Sequence, residues 1–222
     1  MEEKMKRNKK DGGFSSPRPE KRDRRMAAAG WVNRRKVFAP LGAGGTHCQH
    51  DRQQEDYYAT HPIAAQQLLK VETFSRNIWE CACGDGHLAK VFASAGYKVR
   101  ATDLVKRGYR CGKLDFLKCT TLWPGDIITN PPYKYAEAFI ATALQLIPEG
   151  NKLALFLKLQ FLEGKKRKSL FTTYPPKVLY VSSSRIPCAM NGVFGGASSA
   201  MAFGWYVWVK GFRGDPIIKW IN

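Results

Sequence analysis

Residues 77–103 read as a strand, a glycine turn, a helix and a second strand, and that order leaves few folds open. Asn77 to Ala82 (NIWECA) is a short run of strand character. Gly84-Asp85-Gly86 is a turn that glycine enters at little cost, and His87 to about Ala95 has helical spacing, stopped by Gly96. Tyr97 to Thr102 (YKVRAT) is the second strand, with Asp103 at its carboxyl end. Strands joined by a helical crossover pair in parallel. The alternation continues on both sides. Pro62 to Lys70 is an amphipathic helix with proline in its first turn, and Asp126 to Thr129 is a short buried strand. Ala136 to Leu146 is a helix closed by Pro148 and Gly150. Lys152 to Phe161 is a long apolar strand, and Val178 to Val181 and Ala200 to Val209 are later ones. This predicts an α/β fold: a single Rossmann-like, doubly wound, mostly parallel sheet with helices on both faces. No internal repeat is present.

Two acids frame the turn. Glu80 ends the first strand, and Asp103 follows Gly84 by 19 residues, at the end of the next. A carboxylate at that separation suits both hydroxyls of a ribose, while the glycine backbone and the helix N-terminus can approach the rest of a nucleoside-containing ligand. Ala89 stands where a dinucleotide fingerprint has its third glycine, which that fingerprint tolerates. This stretch alone therefore leaves a nicotinamide dinucleotide open.

Asp126-Ile-Ile-Thr-Asn130-Pro131-Pro132-Tyr133 narrows the chemistry. Two prolines directly after a buried strand stiffen the turn and remove two N–H donors. They hold the Asn130 side chain and the Pro131 carbonyl in fixed directions. An amide oxygen and a backbone carbonyl together can accept both hydrogens of a planar amino group. Accepting them draws the nitrogen lone pair out of conjugation. Tyr133 supplies a ring that can lie against a flat π system. The second proline pair, Tyr174-Pro175-Pro176, lacks this setting and reads as a loop element.

These segments resemble the class I S-adenosylmethionine-dependent methyltransferases that modify exocyclic or amide nitrogens. They are most similar to the small adenine-N6 DNA methyltransferases of bacteria and their phages. The likeness spans residues 56 to about 210 and follows the family order: Asp56-Tyr-Tyr-Ala-Thr-His-Pro62, Glu80 to Gly86, Thr102-Asp103, Leu114-Asp115-Phe116, Asn130 to Tyr133. It implies S-adenosyl-L-methionine as cofactor, with Glu80, Cys81, Ala82, Gly84 and Gly86 around its methionine part. Asp103 would hold its ribose, Asp115 and Phe116 its adenine, and Tyr57, Tyr58 and Thr60 would form the N-terminal cofactor segment. His61 departs from the small residue or proline that relatives often carry there. Asn130, Pro131, Pro132 and Tyr133 are implied as catalytic, acting on a base flipped out of double-stranded DNA. A bacterial or phage-infected cytoplasm, with restriction-modification as a setting, follows from the same likeness. RNA adenine and a protein glutamine amide remain alternative substrates, since related enzymes use the same tetrapeptide. A nucleic-acid-binding protein that kept the fold and lost turnover is the alternative of a different class.

Charge supports a polyanionic partner. The 222 residues carry 36 Lys plus Arg against 18 Asp plus Glu, a net +18. Residues 1–36 hold 13 basic and 5 acidic side chains, and residues 1–54 are expected to form a flexible, disordered basic arm before a methyltransferase domain at 55–222. The arm does not account for the whole excess, because residues 57–222 hold 22 basic and 10 acidic side chains. Five of those acids lie in the motif region: Glu80, Asp85, Asp103, Asp115 and Asp126. Lys165, Lys166, Arg167 and Lys168 are candidates for tracking a nucleic-acid backbone or, equally, a solvated helix start. Arg107, Arg110 and Lys113 are similar candidates. Phe194 beside Gly195-Gly196 marks a substrate-side loop. The alternating aromatics of Phe203-Gly-Trp205-Tyr206-Val-Trp208 read as packed sheet, with a second base-stacking ring as the alternative.

Other classes find no support. No apolar run approaches the roughly 18 residues of a membrane span. Six scattered cysteines without a Cys-x-x-Cys pair, in a chain whose first residues carry no apolar leader, read as reduced and cytoplasmic. His47, Cys48 and His50 lack a fourth ligand and regular spacing, so no metal site is expected. The oligomeric state is not encoded in any of these features.

Overall fold

The computed structural model describes residues 59–186, the backbone of 188–189, and residues 201–222. The expected basic arm, Tyr57, Tyr58, His47, Cys48, His50 and Phe194 lie outside the described residues.

Ten strands and four α-helices follow one another in the described chain. They are β1 (Ala59–Thr60), α1 (Pro62–Val71), β2 (Asn77–Glu80), α2 (His87–Ser94), β3 (Lys98–Asp103), β4 (Gly112–Lys113) and β5 (Asp126–Thr129). Then come α3 (Ala136–Leu146), β6 (Lys152–Lys158), α4 (Arg167–Thr173), β7 (Val178–Ser182), β8 (Cys188–Ala189), β9 (Phe203–Val209) and β10 (Ile217–Ile221). Eight strands form one sheet in the order β10-β7-β9-β6-β5-β2-β3-β4, and β1 pairs with β8 in a separate two-stranded ribbon.

β9 runs antiparallel to both its neighbours, β6 and β7, and every other pair in the large sheet is parallel. The crossover from β6 through α4 to β7 skips one position in the sheet. After β7 the chain returns through that gap from the end it has just left, so β9 points the opposite way. The mostly parallel sheet expected from the sequence is present. The reversed strand and the two edge strands, β4 and β10, are additions that the sequence pattern did not reveal.

Both faces are covered. α1 and α2 turn Ala64, Ala65, Leu68, Leu88 and Phe92 onto one face, against Ile78, Ile128 and Phe156. α3 turns Phe139, Ile140 and Ala143 onto the other, against Trp79, Ile127 and Leu155. Each helix shows the three-to-four-residue spacing of an apolar stripe. The late aromatic strand is core, as expected: Trp205, Tyr206 and Trp208 are buried, and the Trp205 indole N–H donates to the Ala64 carbonyl at 2.9 Å.

His61 has a use of its own. It caps α1, its Nδ1 accepting from the Ile63 N–H at 3.2 Å, with Pro62 in the first turn behind it. Here a histidine serves the helix start.

Candidate active site

Three parallel strands end at the same edge of the sheet, and their last residues are polar. β2 ends at Glu80, β3 at Asp103, and β5 runs directly into Asn130. β2 lies between β3 and β5, the point where the strand order changes direction. In open α/β sheets, ligands bind in the crevice that forms there. A cavity of about 290 Å³ opens at this point. Thr60, Glu80, Cys81, Ala82, Asp103, Asp115, Phe116, Asn130, Pro131, Pro132 and Tyr133 all line it, so residues far apart in the chain meet around one space.

Gly84 and Gly86 act one step behind this wall. Both have left-handed backbone, with φ of 51° and 76°. A side chain at Gly86 would drive into the ring of Tyr109, which packs over the turn. These glycines shape the turn and do not line the cavity. The turn is tied to the next strand: the Gly84 N–H donates to Asp103 Oδ2 at 2.8 Å, and the Cys83 N–H donates to the Thr102 carbonyl at 3.0 Å. Asp103 Oδ1 accepts from the Val105 N–H at 2.9 Å. The carboxylate is thus locked in one orientation, while each oxygen keeps a second lone pair for a ligand hydroxyl.

Glu80 is 2% exposed, and its Oε2 makes no hydrogen bond among the described residues. Burial pushes its carboxyl well above the usual carboxylate range. A hydrogen bond from the Ala89 N–H, at the open start of α2, opposes that shift, and the charge of Asp103 adds to it. A buried acceptor of this kind fits a ligand that brings its own donor, above all a cationic one. Asp115 is held differently. Its Oδ1 accepts from the Leu117 N–H at 3.2 Å, and its Oδ2 lies 3.3 Å from Lys118 Nζ. Phe116 is buried edge-on against Trp79, with ring centres 5.2 Å apart.

On the far wall, Asn130 Nδ2 donates to Thr60 Oγ1 at 2.7 Å. Tyr133 is half-buried, with the ring of Phe203 at 6.1 Å and the ammonium of Lys158 4.8 Å from its ring centre. Lys158 was not singled out from the sequence. Its place at the carboxyl end of β6, the next strand along, is the signal that would have found it. Arg107 also differs from expectation, since it is half-buried and lines the cavity. Leu104 and Val105, directly after Asp103, join the same wall.

Two further groups lie away from the cavity wall. Asp126 sits at the opposite end of β5 from the cavity. There its Oδ1 accepts from the Lys152 N–H and Asn151 Nδ2, and its Oδ2 from the Ser75 N–H. It clamps strand starts and does not belong to the acid cluster of the site. The basic run Lys165–Lys168 begins beyond the carboxyl end of β6, with Lys165, Lys166 and Lys168 exposed. Arg167 instead turns inward. Its Nε donates to Glu137 Oε1 at 3.2 Å and its Nη1 to the Glu163 carbonyl at 2.6 Å. Among the described residues no cluster of His, Cys, Asp and Glu could hold a metal ion, and no helix is long and apolar enough to cross a membrane.

No known family model matches the chain, and no curated protein matches it. Solved structures do. A predicted O-methyltransferase, Atu636 of Agrobacterium tumefaciens, superposes with a TM-score of 0.52 at 14% identity, covering 72% of this chain and 85% of that one. A candidate hemolysin of Lactococcus lactis superposes with a TM-score of 0.51 at 13% identity, covering 71% of this chain and 91% of that one. At such identities the likeness establishes the fold, a Rossmann-like α/β domain shared with methyltransferases.

Proposed function

We propose that this protein transfers a methyl group from S-adenosyl-L-methionine to the exocyclic amino nitrogen of adenine in DNA. The observation that carries this reading is the meeting of Asn130-Pro131-Pro132-Tyr133 with Glu80, Asp103 and Asp115 around one cavity.

The cofactor fits these residues. The buried Oε2 of Glu80 offers an acceptor to an ammonium group, Asp103 offers lone pairs to ribose hydroxyls, and the remaining wall is largely apolar. Bound S-adenosylmethionine would supply a methyl group on a sulfonium, already a good leaving group. The protein's own part is placement. Asn130 and the Pro131 carbonyl would accept the two hydrogens of the substrate amine and turn its lone pair toward the donor. The same acceptors, buried and fixed, stabilise positive charge as it grows on nitrogen. Tyr133, backed by Phe203, gives the flipped base a ring to stack on, which offsets part of the few kcal/mol that unstacking costs. Exposed Lys165, Lys166 and Lys168, at the same end of the sheet, would follow phosphates.

The domain at 55–222 would hold all of this, with the basic arm at 1–54 adding non-specific affinity. The test is methyl transfer from labelled cofactor to duplex DNA, structured RNA and protein substrates in parallel. Label on DNA, mapped to adenine N6, is the expected result. Label on RNA or on a glutamine amide alone would overturn the DNA assignment and keep the amino-nitrogen chemistry. Absence of label on all three, with cofactor binding intact, would leave a nucleic-acid-binding protein.

A further inference from the structure

Resting on that reading, we propose that Lys158 holds the backbone phosphate of the flipped nucleotide, on the side of Asn130 away from the cofactor. The strand order separates the two sides. Glu80 ends β2, Asp103 ends β3 and Asp115 follows β4, so all three acids proposed to hold the cofactor lie on one side of β5. Asn130 follows β5 itself. On its other side stand β6 and then β9, whose ends at this edge are Lys158 and Phe203, opposite each other in the ladder. In-line transfer puts the amine and the sulfur on opposite sides of the methyl group. A substrate amine that meets Asn130 from opposite the cofactor therefore enters beside Lys158.

Distance and chemistry then point to phosphate. The Lys158 ammonium lies 4.8 Å from the ring centre of Tyr133, the ring that would carry the base. One sugar separates a base from its phosphate, so a cation serving that phosphate has to stand close to the stacking ring. Lys134, next to Tyr133 in the chain, instead places its ammonium over Tyr135, 4.8 Å from that ring centre. Lys158 is firmly mounted. Its carbonyl accepts from the Tyr206 hydroxyl at 3.1 Å, and its ladder partner Phe203 stacks on Phe156 with ring centres 5.2 Å apart. Lys158 is half-buried, so its charge attracts an anion more strongly than an exposed lysine would. A lysine binds phosphate as a compact point charge. The exposed Lys165, Lys166 and Lys168 continue the positive charge outward beyond the same strand end. Phosphate contacts fix register and orientation, which here means bringing the amino nitrogen to Asn130. A glutamine side chain brings no phosphate, so this contact favours a nucleic acid over a protein.

The test uses the full chain and a duplex carrying the adenine mapped by labelling, with each phosphate flanking that adenine replaced in turn by a neutral methylphosphonate. Lys158→Met, Lys158→Gln and Lys158→Arg are compared by single-turnover transfer below duplex saturation, by duplex affinity over a salt series and by calorimetric cofactor affinity. Lys158→Met is expected to slow transfer at least about tenfold and to lower the slope of log affinity against log salt by about 1, with cofactor affinity within about threefold of wild type. Lys158→Arg should recover most of the rate. One of the two neutral linkages should cost the wild type about as much as the methionine does, and cost Lys158→Met less than about threefold. If Lys158→Met does not fold, Lys158→Gln reads the same loss of charge. A lysine that merely braces Tyr133 would give independent penalties at both linkages, and that outcome overturns the proposal. So does an unchanged salt slope, or a wild-type rate in the methionine or glutamine variant. A wild-type chain that labels no adenine in DNA defeats the underlying reading. A labelling wild type in which Lys158 and both linkages act independently defeats only this inference.

Discussion

Gly84 and Asp103 are joined by a 2.8 Å hydrogen bond from backbone to carboxylate, across 19 residues. The bond ties the glycine turn after β2 to the end of β3 and fixes the orientation of the carboxylate proposed to meet a ribose. Asp103 thus serves the fold and, in the proposed reading, the ligand as well. Asp103→Ala should weaken cofactor binding by ten- to a hundredfold, as read by calorimetry. It should also lower stability by about 1–3 kcal/mol in denaturant titration, because a buried and a part-buried N–H group lose their acceptor. Unchanged cofactor affinity would remove Asp103 from the site.

Glu80 predicts a pH dependence. Its folded carboxyl titrates above the unfolded one because burial disfavours the charged form. The native state therefore holds an extra proton between the two values, and the ligand-free protein loses stability as pH rises through that window. A cationic ligand favours the ionised form, so cofactor affinity should climb over the same range. Glu80→Gln should flatten both slopes and weaken binding. Melting and calorimetry between about pH 4 and 9 would show this, and a variant that keeps both wild-type slopes would contradict it.

Asn130→Ala removes the side chain that would hold the substrate amine. Turnover should fall by at least about a thousandfold, with cofactor affinity within about threefold of wild type. A parallel loss of cofactor affinity would show that Asn130 belongs to the cofactor wall instead.

Asp126→Ala should have the reverse profile. Its carboxylate accepts two backbone N–H groups and an asparagine amide where β5 and β6 begin, far from the cavity. A loss of about 3–5 kcal/mol is expected, with the cofactor affinity of the remaining folded protein unchanged. A selective loss of cofactor binding would return Asp126 to the site.

How far the sequence was legible depended on where the information sits. α3 and β5 match their predicted limits residue for residue, because each has apolar spacing bounded by proline or glycine. The acids at the strand ends were legible because spacing and strand order place them together. The reversal of β9 was not, since a strand's own pattern does not record which way the chain re-enters the sheet. β10 escaped because Ile217 to Ile221 is short and, at an edge, shows no alternation of buried and exposed residues. Thr60 and Asn130 could be named separately, but their bond spans 70 residues and depends on a ribbon outside the sheet. Arg167 was grouped with its lysine neighbours because charge alone does not distinguish a guanidinium facing phosphate from one bonded to a carboxylate and carbonyls.

The late, reversed β9 has a consequence for assembly during synthesis. The residues of the cavity wall lie between 59 and 139, all made before β6. The gap between β6 and β7 stays open until residues 203–209 emerge. Until then β6 and β7 each present an unpaired edge to the gap, and β6 has five fully buried positions in the finished fold. The nascent chain therefore carries a nearly complete cavity wall beside an unclosed sheet. That opening is where a stalled or shortened chain would stick to another, because unpaired apolar edges invite strand exchange.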